Sequence, residues 1–224
     1  MSTILLFDID RLSDAGTDRF RQAVPAERRA RADRFHFPAD RKRCLAAGVL
    51  LRYALLERHG LSDRELTLAR TEFGKPFLVN RPQPRFSLSH SGRWVACATS
   101  ATEIGVDIEH TGAGAVDIAH RFAPEEYAYI AAAPTGERAR RLIQIWTLKE
   151  SYTKYLGRGL GVPLNSFSVS PPNRRPTVLR GRLDTRPLLK QVTHEGDYWI
   201  AECGEDESDI SLAEPTPEDL FTVC

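Results

Sequence analysis

The order of apolar and polar positions predicts a chain that alternates short strands with amphipathic helices. Apolar residues at every second position predict strands, and apolar residues three and four apart predict helices. In the first half these patterns predict a strand at 3–8, a basic helix at 25–35, a helix from Asp40 to Gly60, strands at 66–69 and 77–79, and a hairpin at 85–99. Gly92 would form the hairpin turn, and Asp40 would cap the second helix.

The second half repeats this order of elements with related residue patterns. The run RFHFPAD at 34–40 resembles RFAPEE at 121–126, and each precedes a long helical pattern that a glycine ends. Ordered self-similarity of this kind indicates two related units rather than a solenoid. The sequence therefore predicts an α+β fold with an N-terminal half, residues 1–104, and a C-terminal half, residues 105–224. A ligand cleft between the halves is expected, because clefts at such interfaces are common binding sites.

Composition argues against several classes of protein. The 224 residues are 42% hydrophobic and 27% charged, which is typical of a soluble globular protein. The net charge of +1 lacks the excess of basic residues that is typical of proteins that bind nucleic acids. No apolar run reaches transmembrane length, so no membrane partner is expected. The charge is uneven, because positions 11–58 hold twelve Arg or Lys against six acidic residues. This asymmetry indicates an anion site in the first half, although a solvated basic face gives the same pattern.

The four cysteines show no paired spacing. The sequence therefore predicts neither a disulfide framework nor a cysteine-bound metal, and a cytoplasmic location is the expectation. The short apolar run at the N-terminus has no basic flank or cleavage signature, so it reads as a strand rather than a signal peptide.

Three acidic residues carry the most informative chemistry. Asp107 and Glu109 lie in the run GVDIEH at 105–110, where a period of two places both carboxylates on one face of a strand. Glu150 lies in a helical pattern about forty residues later and could complete a cage of carboxylate oxygens. Such a cage suits Mg²⁺, and Mn²⁺ accepts similar sites. Alternatively, Asp107 and Glu109 form a solvated strand end, and Glu150 pairs with Lys154 on an exposed helix face.

A cluster of basic residues could bind a phosphate. Arginine binds phosphate through two parallel hydrogen bonds. Several arginines that converge on one pocket would bind a doubly charged phosphate monoester. A solvated basic face is the alternative. The cluster contains Arg28, Arg29, Arg31, Arg34, Arg41, Lys42 and Arg43. Lys75, between Gly74 and Pro76, lies on a constrained turn and could also reach a phosphate.

Ser89 and His90 are adjacent in the predicted hairpin. Neighbouring strand residues face opposite sides, so the two side chains are poorly placed to act as nucleophile and base, and the chain has no GxSxG elbow. A contact to phosphate or to a nucleobase is the better functional interpretation of these residues. The alternative is that His90 only makes hydrogen bonds within the turn and binds no ligand.

Taken together, these motifs strongly resemble the Sfp-type 4′-phosphopantetheinyl transferases. The resemblance runs from about Arg28 to Ser168 in the correct order and spacing, and the pair GVDIE and WTLKES is highly specific. The matching runs are FGKP at 73–76, FSLSHSGRWVACA at 86–98, IGVDIEH at 104–110 and WTLKESYTKYLGRGL at 146–160. The resemblance implies two similar halves related by a pseudo-two-fold axis, each a small antiparallel sheet packed on a long helix, with coenzyme A between them.

The resemblance also implies roles for individual residues. Asp107, Glu109 and Glu150 would hold Mg²⁺ against the pyrophosphate of coenzyme A, and Lys154 would contact that pyrophosphate. The 3′-phosphate would lie against Arg28, Arg31 and Arg43, of which 28 and 31 are lysine in some relatives. Lys75, Ser89 and His90 would lie near the phosphates and adenine.

The implied reaction transfers the phosphopantetheine group to a serine of an apo acyl or peptidyl carrier protein and releases 3′,5′-ADP. It would activate a fatty acid, polyketide or nonribosomal peptide synthase and so serve secondary metabolism. Glu150, or a metal-bound water, would accept the serine proton. The enzyme is expected to be a monomer, and the Gly-rich loop 111–117 together with the apolar residues after it is the expected carrier-docking surface.

Two other classes of function are alternatives to the transferase. A metal-dependent phosphodiesterase or nuclease would also use clustered carboxylates, but the near-neutral charge argues against a nucleic-acid substrate. A non-catalytic coenzyme A-binding module would not need Asp107, Glu109, Glu150 and Lys154 together.

Overall fold

The computed structural model describes residues 3–112, 118–169 and 175–224. Of the predicted docking loop 111–117, residues 113–117 therefore lie outside the described residues. The strands are β1 (Thr3–Asp8), β2 (Leu68–Arg70), β3 (Pro76–Leu78), β4 (Arg85–Ser91), β5 (Trp94–Ser100), β6 (Ile104–His110), β7 (Phe167–Ser168), β8 (Thr177–Val178), β9 (Leu188–His194), β10 (Tyr198–Gly204) and β11 (Ser211–Ala213). The helices are α1 (Asp14–Ala23), α2 (Ala26–Asp33), α3 (Pro38–Tyr53), α4 (Pro124–Ala131), α5 (Arg138–Leu156) and α6 (Pro217–Phe221).

Two sheets organise the described part of the chain. The first has the strand order β11-β1-β5-β4, and the second has the order β6-β10-β9. All neighbouring pairs are antiparallel except β1 and β11, which run parallel. The short pairs β2-β3 and β7-β8 lie apart from both sheets. The mixture of helices with small, mostly antiparallel sheets confirms the predicted α+β class.

Each of the long helices α3 and α5 packs against one sheet. Helix α3 covers β4 and β5, and α5 covers β6 and β10. The side chains between helix and sheet form two separate apolar clusters, and a third cluster fills the space between the sheets. Burial of these apolar faces supplies most of the driving force for folding. None of the helices in the described ranges is long and apolar enough to cross a membrane.

The start of α3 differs from the sequence prediction. The helix begins at Pro38 with Phe37 as its N-cap, and Asp40 lies in its first turn. The Asp40 carboxylate accepts a hydrogen bond from Arg43 at 2.5 Å and caps no backbone amide. The prediction that Asp40 caps the helix is therefore wrong. Proline is favoured at the first helical position because its missing N–H would be unpaired there in any case.

The C-terminal segment returns to the first sheet. Strand β11 pairs with β1, and α6 packs against α1 and α3. Leu220 and Val223 belong to the same apolar cluster as α3. The chain beyond β10 thus contributes to the core of the N-terminal half, and the boundary between residues 104 and 105 stays a prediction. All four cysteines are free, as the sequence predicts.

Helix α5 and strand β6 approach each other closely at Gly105. A Cβ atom on this residue would lie 1.9 Å from the carbonyl oxygen of Ser151 and 2.5 Å from the amide nitrogen of Tyr155. Both are backbone atoms, so the helix or the strand would have to move to accept a side chain. Only glycine allows the two elements to pack at this distance.

Replacing Gly105 with alanine is expected to lower the free energy of unfolding by about 1–3 kcal/mol, the usual cost of overpacking a core. It should also weaken transfer activity, because α5 carries Glu150. Urea denaturation followed by circular dichroism measures the stability change. Gly136→Ala is the matched control, because a Cβ there meets nothing within 4 Å. Equal stability of the two variants would contradict a tight helix-strand contact.

Candidate active site

Asp107 and Glu109 project from one face of β6. Ile104, Val106 and Ile108 point the other way, into the apolar cluster between the sheets. This is the alternation expected of a strand. Asp107 is only 2% exposed. A carboxylate is rarely buried this far without a partner, so its surroundings determine what the site can bind.

Helix α5 brings Glu150 and Lys154 to the same face of β6. Lys154 Nζ donates to Asp107 Oδ1 at 2.6 Å and to Ser89 Oγ at 2.9 Å. Ser89 in turn donates to Asp107 Oδ1 at 2.7 Å. Among the described contacts, Lys154 therefore pairs with Asp107 rather than with Glu150. The alternative that Glu150 pairs with Lys154 on an exposed helix face does not describe this arrangement.

One cavity of about 340 Å³ collects most of the residues that the sequence singled out. The cationic residues lie on α2 and α5, the carboxylates lie on β6 and α5, and Ser89 and His90 come from β4. Its lining includes Arg28, Arg31, Ser89, His90, Asp107, Glu109, Glu150 and Lys154. Arg70 also lines the cavity, although no sequence pattern selects it.

Arg43 and Lys75 lie outside this lining. The Arg43 guanidinium binds Asp40 and the carbonyl oxygen of Gly92. Lys75 Nζ donates to Glu103 Oε2 at 2.8 Å, to Ile104 O at 3.2 Å and to Tyr155 O at 3.3 Å. Three acceptors saturate an ammonium group. As described, Lys75 ties the start of β6 to the end of α5, and its role toward coenzyme A stays a prediction.

The negative charge of Asp107 makes ionisation of Glu109 and Glu150 less favourable. Burial, and then the negative charge of Asp107, raise the pKa of Glu150 to about 7. Burial and Asp107 also raise the pKa of Glu109, although hydrogen bonds from Ser91 and Trp146 lower it in part. A bound cation would reverse this effect, because a nearby positive charge favours the ionised carboxylate.

The carboxylate oxygens are the kind of ligand that a divalent cation needs, although the three groups do not surround a common point in the described residues. Within the described residues, no three Asp, Glu, His or Cys side chains already stand at metal-binding geometry. Lys154, which donates a hydrogen bond to Asp107, supplies a positive charge beside the carboxylates. However, Asp107 Oδ2 and Glu150 Oε1 are buried and have no hydrogen-bond partner in the described part of the chain. Buried unpaired carboxylate oxygens are costly, and they are the ligands that Mg²⁺ prefers.

The cavity is also lined by residues that can carry positive charge. Arg28 is half-buried and donates to Cys44 O at 3.1 Å, and the loss of solvent around it lowers its pKa. His90 is exposed at the cavity mouth, yet partial desolvation and the charges of Arg43 and Lys154 lower its pKa. Cations held so close together repel one another, and a bound polyanion would relieve that repulsion. These side chains are therefore suited to bind phosphate groups.

Residues that sequence reasoning did not assign hold the carboxylates in place. Ser91 Oγ donates to Glu109 Oε2 at 2.7 Å, and Trp146 also hydrogen-bonds Glu109. One signal was present in the sequence, because Ser87, Ser89 and Ser91 alternate along one strand. Three hydroxyl groups on one strand face indicate a polar contact with whatever element lies beside that face.

Comparison with known proteins identifies the family. A model of the 4′-phosphopantetheinyl transferase superfamily matches residues 103–203, and a model of the N-terminal region of 4′-phosphopantetheinyl transferase matches residues 13–102. A 4′-phosphopantetheinyl transferase of Bacillus subtilis is 39% identical over 163 residues, which cover 72% of this chain and 73% of the relative. The chain belongs to the 4′-phosphopantetheinyl transferase superfamily.

Two further relatives support the same assignment. The 4′-phosphopantetheinyl transferase Sfp of Bacillus subtilis strain 168 is 36% identical over 159 residues, 70% of this chain and 71% of the relative. A phosphopantetheinyl transferase of Thraustochytrium is 35% identical over 175 residues, 70% of this chain and 60% of the relative. The Sfp-type resemblance is confirmed, and with it the prediction that the chain is an enzyme, a phosphopantetheinyl transferase.

Proposed function

We propose that this phosphopantetheinyl transferase uses coenzyme A as its donor and an apo acyl or peptidyl carrier protein as its acceptor. The observation that carries the proposal is that acidic and basic side chains line the same cavity. Three carboxylates suited to a cation line this cavity together with Lys154, Arg28 and Arg31. A site of this kind suits a nucleotide that carries both a pyrophosphate and a separate phosphate monoester.

In the proposed reaction, the serine Oγ of the carrier forms a bond to the β-phosphorus of coenzyme A. The bond from this phosphorus to the bridging oxygen breaks, and 3′,5′-ADP leaves with the electron pair. Glu150 accepts the serine proton, and a bound cation would counter the burial and the Asp107 charge that raise its pKa, so that the carboxylate is ionised and able to act as a base. Lys154 stabilises the charge that develops on the leaving oxygen.

Asp107, Glu109 and Glu150 would hold Mg²⁺, and Mn²⁺ would suit the same oxygen ligands. When bound, the cation would neutralise negative charge on the phosphate oxygens. Lys154 donates to Asp107 and lines the same cavity, so it lies within the site that would bind the phosphates. Ser89 also donates to Asp107 and so helps to hold this carboxylate on the site face of β6.

The test combines the protein, Mg²⁺, coenzyme A and an apo carrier protein, followed by mass spectrometry of the carrier. A gain of one phosphopantetheine group is expected. Binding of coenzyme A with no change in carrier mass would favour the binding-module alternative. Cleavage of coenzyme A in the absence of a carrier would favour a phosphodiesterase. The same assay with acyl and peptidyl carriers would establish which synthase type the enzyme serves.

Replacing Arg31 with methionine is expected to raise the KM for coenzyme A about 10- to 100-fold with little change in kcat. A hydrogen bond to a charged group contributes about 1.5–3 kcal/mol, and the proposed contact is to the remote 3′-phosphate. Arg29→Met is the matched control, because Arg29 lies on the same helix and donates to Val24 O at 2.8 Å. A KM that changes equally in both variants would contradict a phosphate contact at Arg31.

We propose that the two halves are related by a pseudo-two-fold axis with the cavity between them. The orders β1-β5-β4 and β6-β10-β9 support this, because strands in corresponding positions of the chain pair in the same way. The two family models meet between residues 102 and 103, close to the predicted boundary. A monomer that acts in the cytoplasm remains our proposal, and light scattering of the purified protein would test the monomer.

A further inference from the structure

Three serine hydroxyl groups bridge β4 and β6 across the boundary between the sheets. These strands lie side by side at the edges of their sheets, but no backbone ladder pairs them within the described residues. Ser87, Ser89 and Ser91 occupy alternate positions of β4 and all reach β6. Side chains therefore make the hydrogen bonds that backbone groups would make in a continuous sheet.

The three hydroxyl groups differ in what they hold. Ser87 Oγ accepts from the amide of Val106 at 3.0 Å and has no described contact with a carboxylate. Ser89 is shared between Asp107 and Lys154 and so belongs to the proposed site itself. Ser91 makes one bond of each kind, because it accepts from the amide of His110 at 3.1 Å and donates to Glu109 Oε2 at 2.7 Å.

The contacts of Ser91 fix the direction of its proton. A hydroxyl group has one proton to donate, and the His110 amide occupies one of its lone pairs. The proton therefore points at Glu109, a residue whose side chain has three rotatable bonds. The backbone of β6 thus orients its own carboxylate through a hydroxyl group of the neighbouring strand. Ser91 is 8% exposed, so water offers little competition for this bond.

We propose that Ser91 is a positioning residue that holds the Glu109 carboxylate in the orientation required to bind the divalent cation. This inference rests on the proposed function and adds to the cation site a residue from the other sheet. Partners that orient a metal ligand typically contribute about 10- to 100-fold to metal affinity. Ser91 would therefore act through Glu109, without contact with the cation or substrate.

The test measures Mn²⁺ binding to the full chain by electron paramagnetic resonance of the free ion, with and without coenzyme A. Ser91→Ala is expected to weaken binding about 10- to 100-fold, and Ser91→Thr, which keeps the hydroxyl group, is expected to restore most of it. Ser87→Ala is the matched control, because it removes a β4–β6 bond that involves no carboxylate, and its Mn²⁺ affinity should stay near wild type. In transfer assays, Ser91→Ala should raise the metal concentration at half-maximal rate more than it lowers the rate at saturating metal.

Two results would overturn the role of Ser91. One is wild-type Mn²⁺ affinity in a folded Ser91→Ala protein. The other is equal loss in Ser91→Ala and Ser87→Ala, which would mean that the hydroxyl groups serve only to join the strands. Failure of the wild-type protein to bind Mn²⁺ or to modify a carrier would instead contradict the proposed function. The wild-type measurement therefore separates the two hypotheses.

Discussion

Replacing Glu150 with glutamine is expected to lower the rate of phosphopantetheine transfer at least about 10³-fold, because it removes both the proposed base and a cation ligand. Glutamine keeps the shape of the side chain, so the fold should be unaffected. The KM for coenzyme A should change much less, since Arg28 and Arg31 are intact. Glu137→Gln, the same substitution at the exposed residue just before α5, is the control and should retain activity. Wild-type-like turnover of Glu150→Gln would exclude Glu150 as the base.

The same variant should be at least as stable as the wild type in metal-free buffer. Burial and Asp107 raise the pKa of Glu150 from 4.5 to about 7, so the folded state favours the protonated form. Ionised Glu150 therefore destabilises the fold at high pH, whereas the neutral glutamine of the variant would not. The stability gained should be absent below about pH 4.5, grow between pH 4.5 and 7, and reach at most about 3 kcal/mol above that. Urea denaturation of both proteins at pH 4.5 and pH 8 measures the difference.

Much of the site was predictable because it follows local periodicity. A period of two placed Asp107 and Glu109 on one face of β6, and a helical pattern placed Glu150 and Lys154 one turn apart on α5. The hairpin with Gly92 in its turn follows from the same local rules, and Gly92 has the expected positive φ of 54°. Such predictions depend on residues close together in sequence, whose side-chain directions the backbone fixes.

Contacts between distant segments were not predictable in this way. The three acceptors of Lys75 come from the start of β6 and the end of α5, two elements that meet only because Gly105 lets them approach. Ser91 reaches Glu109 because β4 and β6 lie together at the edges of two different sheets. The return of β11 to β1 is a further case, since a three-residue strand carries almost no periodic signal of its own. These features depend on how the sheets pack rather than on local pattern.

A buried ion pair beside the active site also escaped sequence reasoning. Lys149 and Glu126 are fully buried, and their Nζ and Oε2 atoms lie 2.7 Å apart. Lys149 also donates to Leu164 O and Phe167 O, both at 2.8 Å. The pair joins α4 to α5 one residue before Glu150. A lysine at this position looks solvent-exposed in sequence, because lysines are almost never fully buried unless they are paired.

Replacing Lys149 with methionine is therefore expected to lower the free energy of unfolding by about 3–5 kcal/mol. Methionine fills similar space, but it leaves the Glu126 carboxylate buried without a counter-charge, which is the costly way to break such a pair. Arg21→Met is the matched control, because Arg21 and Asp33 form an ion pair at 2.5 Å in which both side chains are at least 40% exposed. That control should cost at most about 1 kcal/mol.

The double variant Lys149→Met with Glu126→Gln separates loss of the pair from loss of the individual groups. In the wild type, the Glu126 carboxylate accepts hydrogen bonds from the amides of Ala123 at 2.9 Å and Val169 at 2.7 Å. Glutamine keeps one oxygen that can accept one of these two hydrogen bonds. Because no charge is then buried, the double variant should recover part of the stability that the single variant loses. If the single and double variants were equally destabilised, unpaired charge would not be the cause, and the lost bonds to Leu164 and Phe167 would account for the effect.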